Sequence, residues 1–273
     1  MARLDLLEDD ASDAGRILGK GFSEVDAIEM LRDRGSFDLA FTIAKLFRDQ
    51  LDASVVSQVF TALADKCARL TIDPTVEHSW LQANDVNLGP AMPPALGDAD
   101  PLDQQNTSSH PADKGWEFLR LLLRLYDSKP TNNFQHHIDV ADRVMSLRFD
   151  RDDSGDSYVP LPKWLLGSLT KRNRPALLRL YIEHNDLDSA TALALDMVKD
   201  AAPRTTDDRR AFRCWLPYSE LDALVAKLET RERRDGGSAL GRKCGARARQ
   251  LREELQAYHT DLGQPQGNDY GLR

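Results

Sequence analysis

Asp150, Asp152, Ser154 and Gly155 stand at positions 1, 3, 5 and 6 of a calcium-loop frame, a spacing that can wrap oxygen ligands round a cation. Position 12 of that frame is Leu161 where a bidentate glutamate is needed, and Pro160 and Pro162 interrupt it, so the stretch reads as a solvated acidic loop. His136 and His137 are adjacent, and neighbours on a helix diverge by about 100° and cannot share one metal. His137 alone reads as a surface or core-edge residue. Gly19-Lys20-Gly21 lacks the spacing of a phosphate-binding loop and no strand precedes it, so it reads as a turn. Cys67, Cys214 and Cys244 lie far apart with no paired spacing for zinc or a disulfide framework, and are expected to be reduced and partly buried. No Ser, His and acid set stands in a nucleophile context. The expectation is a chain with no catalytic, cofactor-binding or metal site.

Arg231, Arg233, Arg234, Arg242, Lys243, Arg247, Arg249 and Arg252 make the C-terminal region basic and could contact a phosphate backbone. Glu229, Glu232, Glu253 and Glu254 interleave with them, as on a solvated helix surface or a protein interface, and that is the reading adopted. The 273 residues carry a net charge of −8 and are 41% hydrophobic, an ordinary soluble composition with material for one or two packed domains. No run approaches the roughly 20 apolar residues that span a bilayer, and MARLDLLEDD is too acidic and broken for a signal peptide. Cytosol or nucleoplasm is expected.

The elements that must position any surface are helices. In the stretch from Val159 to Asp200, Trp164, Leu165, Leu166 and Leu169 form a short apolar helix, and Pro175 suits the first turn of the next. Leu177, Leu178, Tyr181 and Ile182 give that helix one apolar face. Asn185 closes it in the left-handed conformation, and Asp186 or Asp188 opens another helix buried through Ala190, Leu193, Ala194 and Met197. So short a linkage forces antiparallel neighbours. The same unit occurs earlier: Ser23 with Asp26 reads as a capping box, Val25, Ile28 and Leu31 as an apolar face, and Gly35 as a left-handed cap. Phe37, Ala40, Phe41, Ala44 and Phe47 then make the second stripe. Gly35 aligns with Asn185, Asp38 with Asp188, Ala40 with Ala190 and Ala44 with Ala194, without a gap.

Helices are also predicted over Ser54–Arg69, Val76–Ala83, from Gly115 through Tyr126, and from Phe134 through Met145. The helix beginning at Gly115 is apolar round more than half its circumference and is expected to pack on two sides. Ser219, with Asp222 three residues on, is expected to cap a further helix whose inner face is Leu221, Leu224, Val225 and Leu228, and a last helix covers roughly Leu240 to His259. No strand is predicted. The fold class is all-α, stacked antiparallel helix hairpins of α-solenoid-like kind. The divisions are 1–21, an N-terminal acidic segment; 22–83, hairpin repeats; 84–113, a flexible loop carrying five prolines; 114–262, a C-terminal helical stack; and 263–273, a disordered tail.

VPLPxWL at Val159–Leu165, the run Ala176-Leu177-Leu178-Arg179-Leu180-Tyr181, Asp186-Leu187 with Ala190, and Trp215-Leu216-Pro217-Tyr218-Ser219 with Asp222 resemble the C-terminal region of the nucleoporin one-sixty family. Trp116 with Leu119, and Asn133 with His136-His137, are similar to that family too, so the resemblance covers most of Phe22 to Leu228. Family members carry an N-terminal β-propeller that this chain lacks, so the chain resembles a C-terminal piece or a short gene model. The resemblance implies a non-catalytic scaffold subunit of the Y-shaped outer-ring complex of the nuclear pore, supporting protein transport and messenger RNA export. It implies other helical nucleoporins at the hub of the Y as partners, with no small-molecule substrate and no specific nucleic acid. An unrelated helical-repeat adaptor or coat protein, and an all-α enzyme with a site assembled across helices, are the alternatives. Trp215, Tyr218, Leu221, Leu224, Val225 and Leu228 are the expected docking residues, with part of the leucine face, Leu224 for instance, left open for a partner.

Overall fold

The computed structural model describes residues 23–47, 51–73, 75, 79–84, 111–126, 134–149, 157–201 and 216–263. The 1–21 segment, residues 85–110 of the expected loop, the calcium-frame residues Asp150 to Gly155, Cys214, Trp215 and the tail beyond Gly263 lie outside them. Chain contacts define two compact units, Met1–Gly167 and Ser168–Arg273.

In the first unit, α1 (Glu24–Asp33) begins with the expected capping box: Ser23 Oγ accepts from the Asp26 N–H at 3.2 Å and Asp26 Oδ2 accepts from the Ser23 N–H at 3.1 Å. Gly35, with φ 79°, turns the chain into α2 (Phe37–Leu46), antiparallel to α1. A 20-residue helix, α3 (Ala53–Ile72), runs past both and buries Val56, Val59, Phe60, Leu63 and Cys67. The Cys67 thiol is pushed far up from its ordinary pKa by burial, which leaves it un-ionised and inert. α4 (Ser79–Ala83) is one short turn whose Trp80 meets Phe37 edge to face, ring centres 5.7 Å apart.

Asn84 departs from its expected place in the flexible loop. It is only 4% exposed and its amide spans the first hairpin turn: Nδ2 donates to the Gly35 carbonyl at 2.6 Å and to the Trp80 carbonyl, and Oδ1 accepts from the Asp38 N–H at 2.8 Å. The other end of that loop is shorter than expected as well, because α5 (Pro111–Tyr126) starts at Pro111. Proline suits a first turn, where its missing N–H costs nothing. Gly115 sits mid-helix because Cys67 and the Trp80 indole occupy the space its Cβ would take, at 2.9 and 3.0 Å. α5 packs on α3 through Trp116, Leu119 and Leu123, with the Trp116 indole donating to Thr71 Oγ1 at 3.0 Å. Among the described residues, Leu121 and Leu125 on its opposite side are exposed, where the two-sided reading required cover.

α6 (Gln135–Ser146) lies against α3 and buries both histidines, which corrects the core-edge reading of His137. The 100° divergence sends His136 between Phe60 and Tyr126, and His137 between Phe134 and Trp164. A two-residue antiparallel pair, β1 (Arg148–Phe149) with β2 (Ser157–Tyr158), departs from the all-helical expectation at the base of the acidic loop. The chain then enters α7 (Lys163–Arg172), where Leu165 and Leu169 are buried.

The second unit holds α8 (Arg174–Glu183), α9 (Leu187–Ala201), α10 (Tyr218–Asp235) and α11 (Ala239–Gly263). Asn173 caps α8 through the Ala176 N–H, and Pro175 falls in the first turn as expected. Asn185 takes φ 61° between α8 and α9. Fully buried Ala190 and Ala194 let those two helices lie close, and Asp186 Oδ1 caps α9 through the Ser189 N–H at 3.1 Å. α10 and α11 form a second antiparallel hairpin that packs on the first. The fold is all-α, antiparallel helix hairpins of α-solenoid-like kind. Among the described residues, no helix is long and apolar enough to cross a membrane.

Candidate docking surface

α10 is the helix on which docking was expected, and its entry is set by proline. Pro217 occupies the N-cap, its carbonyl accepting from the Glu220 and Leu221 N–H groups at 3.1 and 3.0 Å. The helix therefore starts before Ser219 can cap it, and the expected Ser219–Asp222 capping box does not form. Ser219 instead donates its hydroxyl to Glu220 Oε2 at 2.5 Å. Glu220 also takes the Arg179 guanidinium of α8 at 2.7 Å. The Ser219 hydroxyl first, and then Arg179, hold the Glu220 carboxyl below its usual range, and Glu220 in turn raises the pKa of Arg179.

The leucine face is closed. Leu221, Leu224 and Leu228 are 0% exposed and Val225 is buried, in one cluster with Leu178, Ile182, Ala194 and Met197 from the first hairpin and with Cys244, Ala248, Leu251 and Tyr258 from α11. The expectation that Leu224 stays open to solvent is thereby overturned. A helix with apolar residues on more than one narrow seam does need a second neighbour, and here α11 of the same chain supplies it.

What remains outward is aromatic. Tyr218 is 42% exposed and stacks on His259 of α11, ring centres 5.6 Å apart and planes 17° from parallel, beside the Tyr258 ring. The sequence reading named Tyr218 but missed His259; the signal was its place beside Tyr258 at the end of the last apolar stripe. Trp215 lies outside the described residues. Of the hairpin residues, Gly35, Ala40, Ala44, Ala190 and Ala194 are buried, Asp38, Trp164 and Tyr181 are half-buried, and Asn185 and Asp188 are exposed. Burial, and then the Asp186 carboxylate, raise the pKa of Tyr181.

The basic run is largely spoken for within the unit. Arg231 pairs with Asp235 at 2.6 Å, Arg249 with Glu232 at 3.3 Å, Arg252 with Glu229, Lys243 with Asp188 at 2.7 Å, and Arg247 with Asp188. Arg233 and Arg242 reach the carbonyls of Glu229 and Gly237. Guanidiniums held this way are poorly placed to follow a phosphate backbone.

In the first unit a polar groove runs between α1, α3 and α6. Its charges answer one another: Asp65 takes Arg69 and Arg143, Asp139 accepts from Ser57 and Gln135, and Arg32 donates to Gln58 and Asp33. Side chains paired like this neutralise one another across the groove. Among the described residues, no group of three His, Cys, Asp or Glu is placed to hold a metal.

The chain is similar to nuclear pore complex protein Nup160 of Homo sapiens, 26% identical over 272 residues, which is 95% of this chain and 17% of that protein. It is also similar to Nup160 of Mus musculus, 27% identical over 211 residues, 73% of this chain and 13% of that protein. The chain thus spans less than a fifth of the length of either relative. A family model described as the Nup160 C-terminal TPR matches residues 1–264. With helix hairpins along both units and a match over that length, the chain belongs to the Nup160 C-terminal TPR family.

Proposed function

We propose that this chain is a non-catalytic scaffold part of the nuclear pore complex, working in the outer-ring Y-complex, and that it supports nucleocytoplasmic transport and mRNA export by docking onto other helical nucleoporins. The observation that carries this reading is the match of residues 1–264 to the Nup160 C-terminal TPR. Its place of work is then the nucleus, at the pores of the envelope. A chain built from helix hairpins offers long side-chain surfaces to protein partners, and the self-paired polar groups of the groove and the basic run suit that role better than chemistry on a small molecule.

The leucine face of α10 cannot dock a partner without unfolding the unit, so the docking surface moves to its edge. The exposed stack of Tyr218 on His259 supports this, because aromatic rings with a wet rim are what interface hot spots are made of. Tagged full chain recovered from nuclear envelopes should bring down other outer-ring nucleoporins. Tyr218→Ala should lower that recovery at least tenfold while shifting the melting temperature by less than about 2 °C, as surface substitutions do. Recovery at the wild-type level would remove Tyr218 from the interface, and a wild-type chain that brings down no nucleoporin would overturn the proposed function.

A further inference from the structure

Two six-residue stretches, FSEVDA at 22–27 and YSELDA at 218–223, place a serine before the same acidic neighbours, one and three residues on. The fold puts the two serines to different use. Ser23 is tied into its capping box, its hydroxyl donating to Asp26 Oδ2 at 2.6 Å while accepting from the Asp26 N–H. Ser219 is released from that duty by Pro217, which starts the helix ahead of it. Its residue is exposed, Asp222 is exposed beside it, and Glu220 is partly exposed. Arg179, most of its side chain in solvent, reaches the same spot from α8. A kinase whose substrate groove is basic selects serines by carboxylates at these positions, since charge complementarity sets which partner is accepted.

We propose that Ser219 is a phosphorylation site for an acidophilic serine/threonine kinase, and that Arg179 then clasps the phosphoserine. Ser219 Oγ attacks the γ-phosphorus of ATP, the bond from that phosphorus to the β,γ-bridging oxygen breaks, ADP leaves, and the hydroxyl proton passes to the kinase's catalytic carboxylate. No oxidation is involved. The phosphate brings a charge of about −1.5 to −2 into the first turn of α10, where the helix dipole favours an anion. It repels Glu220, which now holds Arg179 at 2.7 Å, and offers the guanidinium a fork of oxygens at the same place. The link between α8 and α10 becomes stronger. This site is independent of the docking reading, because it rests on Ser219, Glu220, Asp222 and Arg179 and on no partner at Tyr218.

The test uses the purified full chain, ATP and casein kinase 2 as the acidophilic probe, with each site read by tandem mass spectrometry. Ser219 should be phosphorylated, at least tenfold faster than Ser23 and at least fivefold faster than in Asp222→Asn. No phosphate at Ser219, or a rate indifferent to Asp222→Asn, would overturn the site. The phosphorylated chain should then melt about 1–3 °C higher than the unmodified one, and the gain should vanish in Arg179→Gln. A gain that survives Arg179→Gln, or no gain in the wild type, would overturn the clasp.

Discussion

The two hairpin turns at Arg34–Ser36 and His184–Asp186 are the same turn made twice and closed in two ways. In the first, the Arg34, Gly35 and Ser36 N–H groups donate to the carbonyls of Met30, Arg32 and Leu31; in the second, His184, Asn185 and Asp186 donate to Leu180, Ile182 and Tyr181. The bond that reaches back five residues is 2.8 Å long in one and 2.9 Å in the other, and a left-handed residue sits at the middle of each. This is a Schellman closure, and it satisfies carbonyls that a helix end leaves open. The second helix of each hairpin is then capped differently. Ser36 makes no side-chain cap, and Asn84, 46 residues from Asp38, supplies it from a buried position under Trp80. Asp186 caps its own helix, and Lys227 adds a bond to the Ile182 carbonyl at 2.6 Å. The helix after the first turn is capped from afar and the helix after the second by its own residue. A locally closed turn leaves its surroundings free for other contacts, and Asp188 there takes Lys243 and Arg247 from α11.

That difference should show most strongly when each cap is removed. Asn84→Ala strands the Asp38 N–H and the Gly35 carbonyl in a buried place and should cost about 2–5 kcal/mol, whereas Asp186→Ala loses one ordinary cap, about 1 kcal/mol. Urea denaturation of the two variants decides it, and equal losses would erase the distinction. Exchanging the left-handed residues comes next. Gly35→Asn drives a Cβ to 2.8 Å from the Trp80 Cβ and should cost about 2–4 kcal/mol. Asn185→Gly meets no such neighbour and should stay within about 0.5 kcal/mol. If the melting temperatures of the two variants fall together, the Trp80 lid is not what separates the turns.

The shared part of the two hairpins predicts likeness. Ala44→Phe and Ala194→Phe both overfill fully buried positions and should each cost about 1–3 kcal/mol; a loss in one and none in the other would break the repeat relation. The smallest effect is a pH dependence confined to the second unit. Because Glu220 is held below its usual pKa, its share of stability is complete above the unfolded value, about 4.3, and is lost as pH falls through the lower folded value. Glu220→Gln should flatten the fall of the melting temperature between about pH 5 and 3 by a modest amount, since the group is solvent-screened.

The turns were legible because their grammar is local. A glycine or asparagine at the cap, an apolar period of 3.6, and alanine on the inner stripe identify each hairpin from ten residues. Ser23 with Asp26 was legible for the same reason. Most of the failures were non-local. Asn84 stands at the edge of a proline-rich stretch, so composition assigned it to the loop, while two of its partners, Asp38 and Gly35, are 46 and 49 residues away. Ser219 carries the same letters as Ser23, but Pro217 shifts the helix start and the letters lose their role. The leucine face of α10 read as half-open because the pattern does not say that α11 folds back over it. His137 read as peripheral because no local rule reports that Phe134 and Trp164 flank it. Of the stacked pair, Tyr218 was legible in the sequence, and His259 only through its place beside Tyr258.

Hydrogen exchange of the full chain, wild type against Asn84→Ala, tests the two-closure account most directly. The account expects the amides of 36–44 to lose at least tenfold in protection in the variant while those of 186–194 are unchanged. Unaltered protection at 36–44, or a loss shared equally by 186–194, would contradict it.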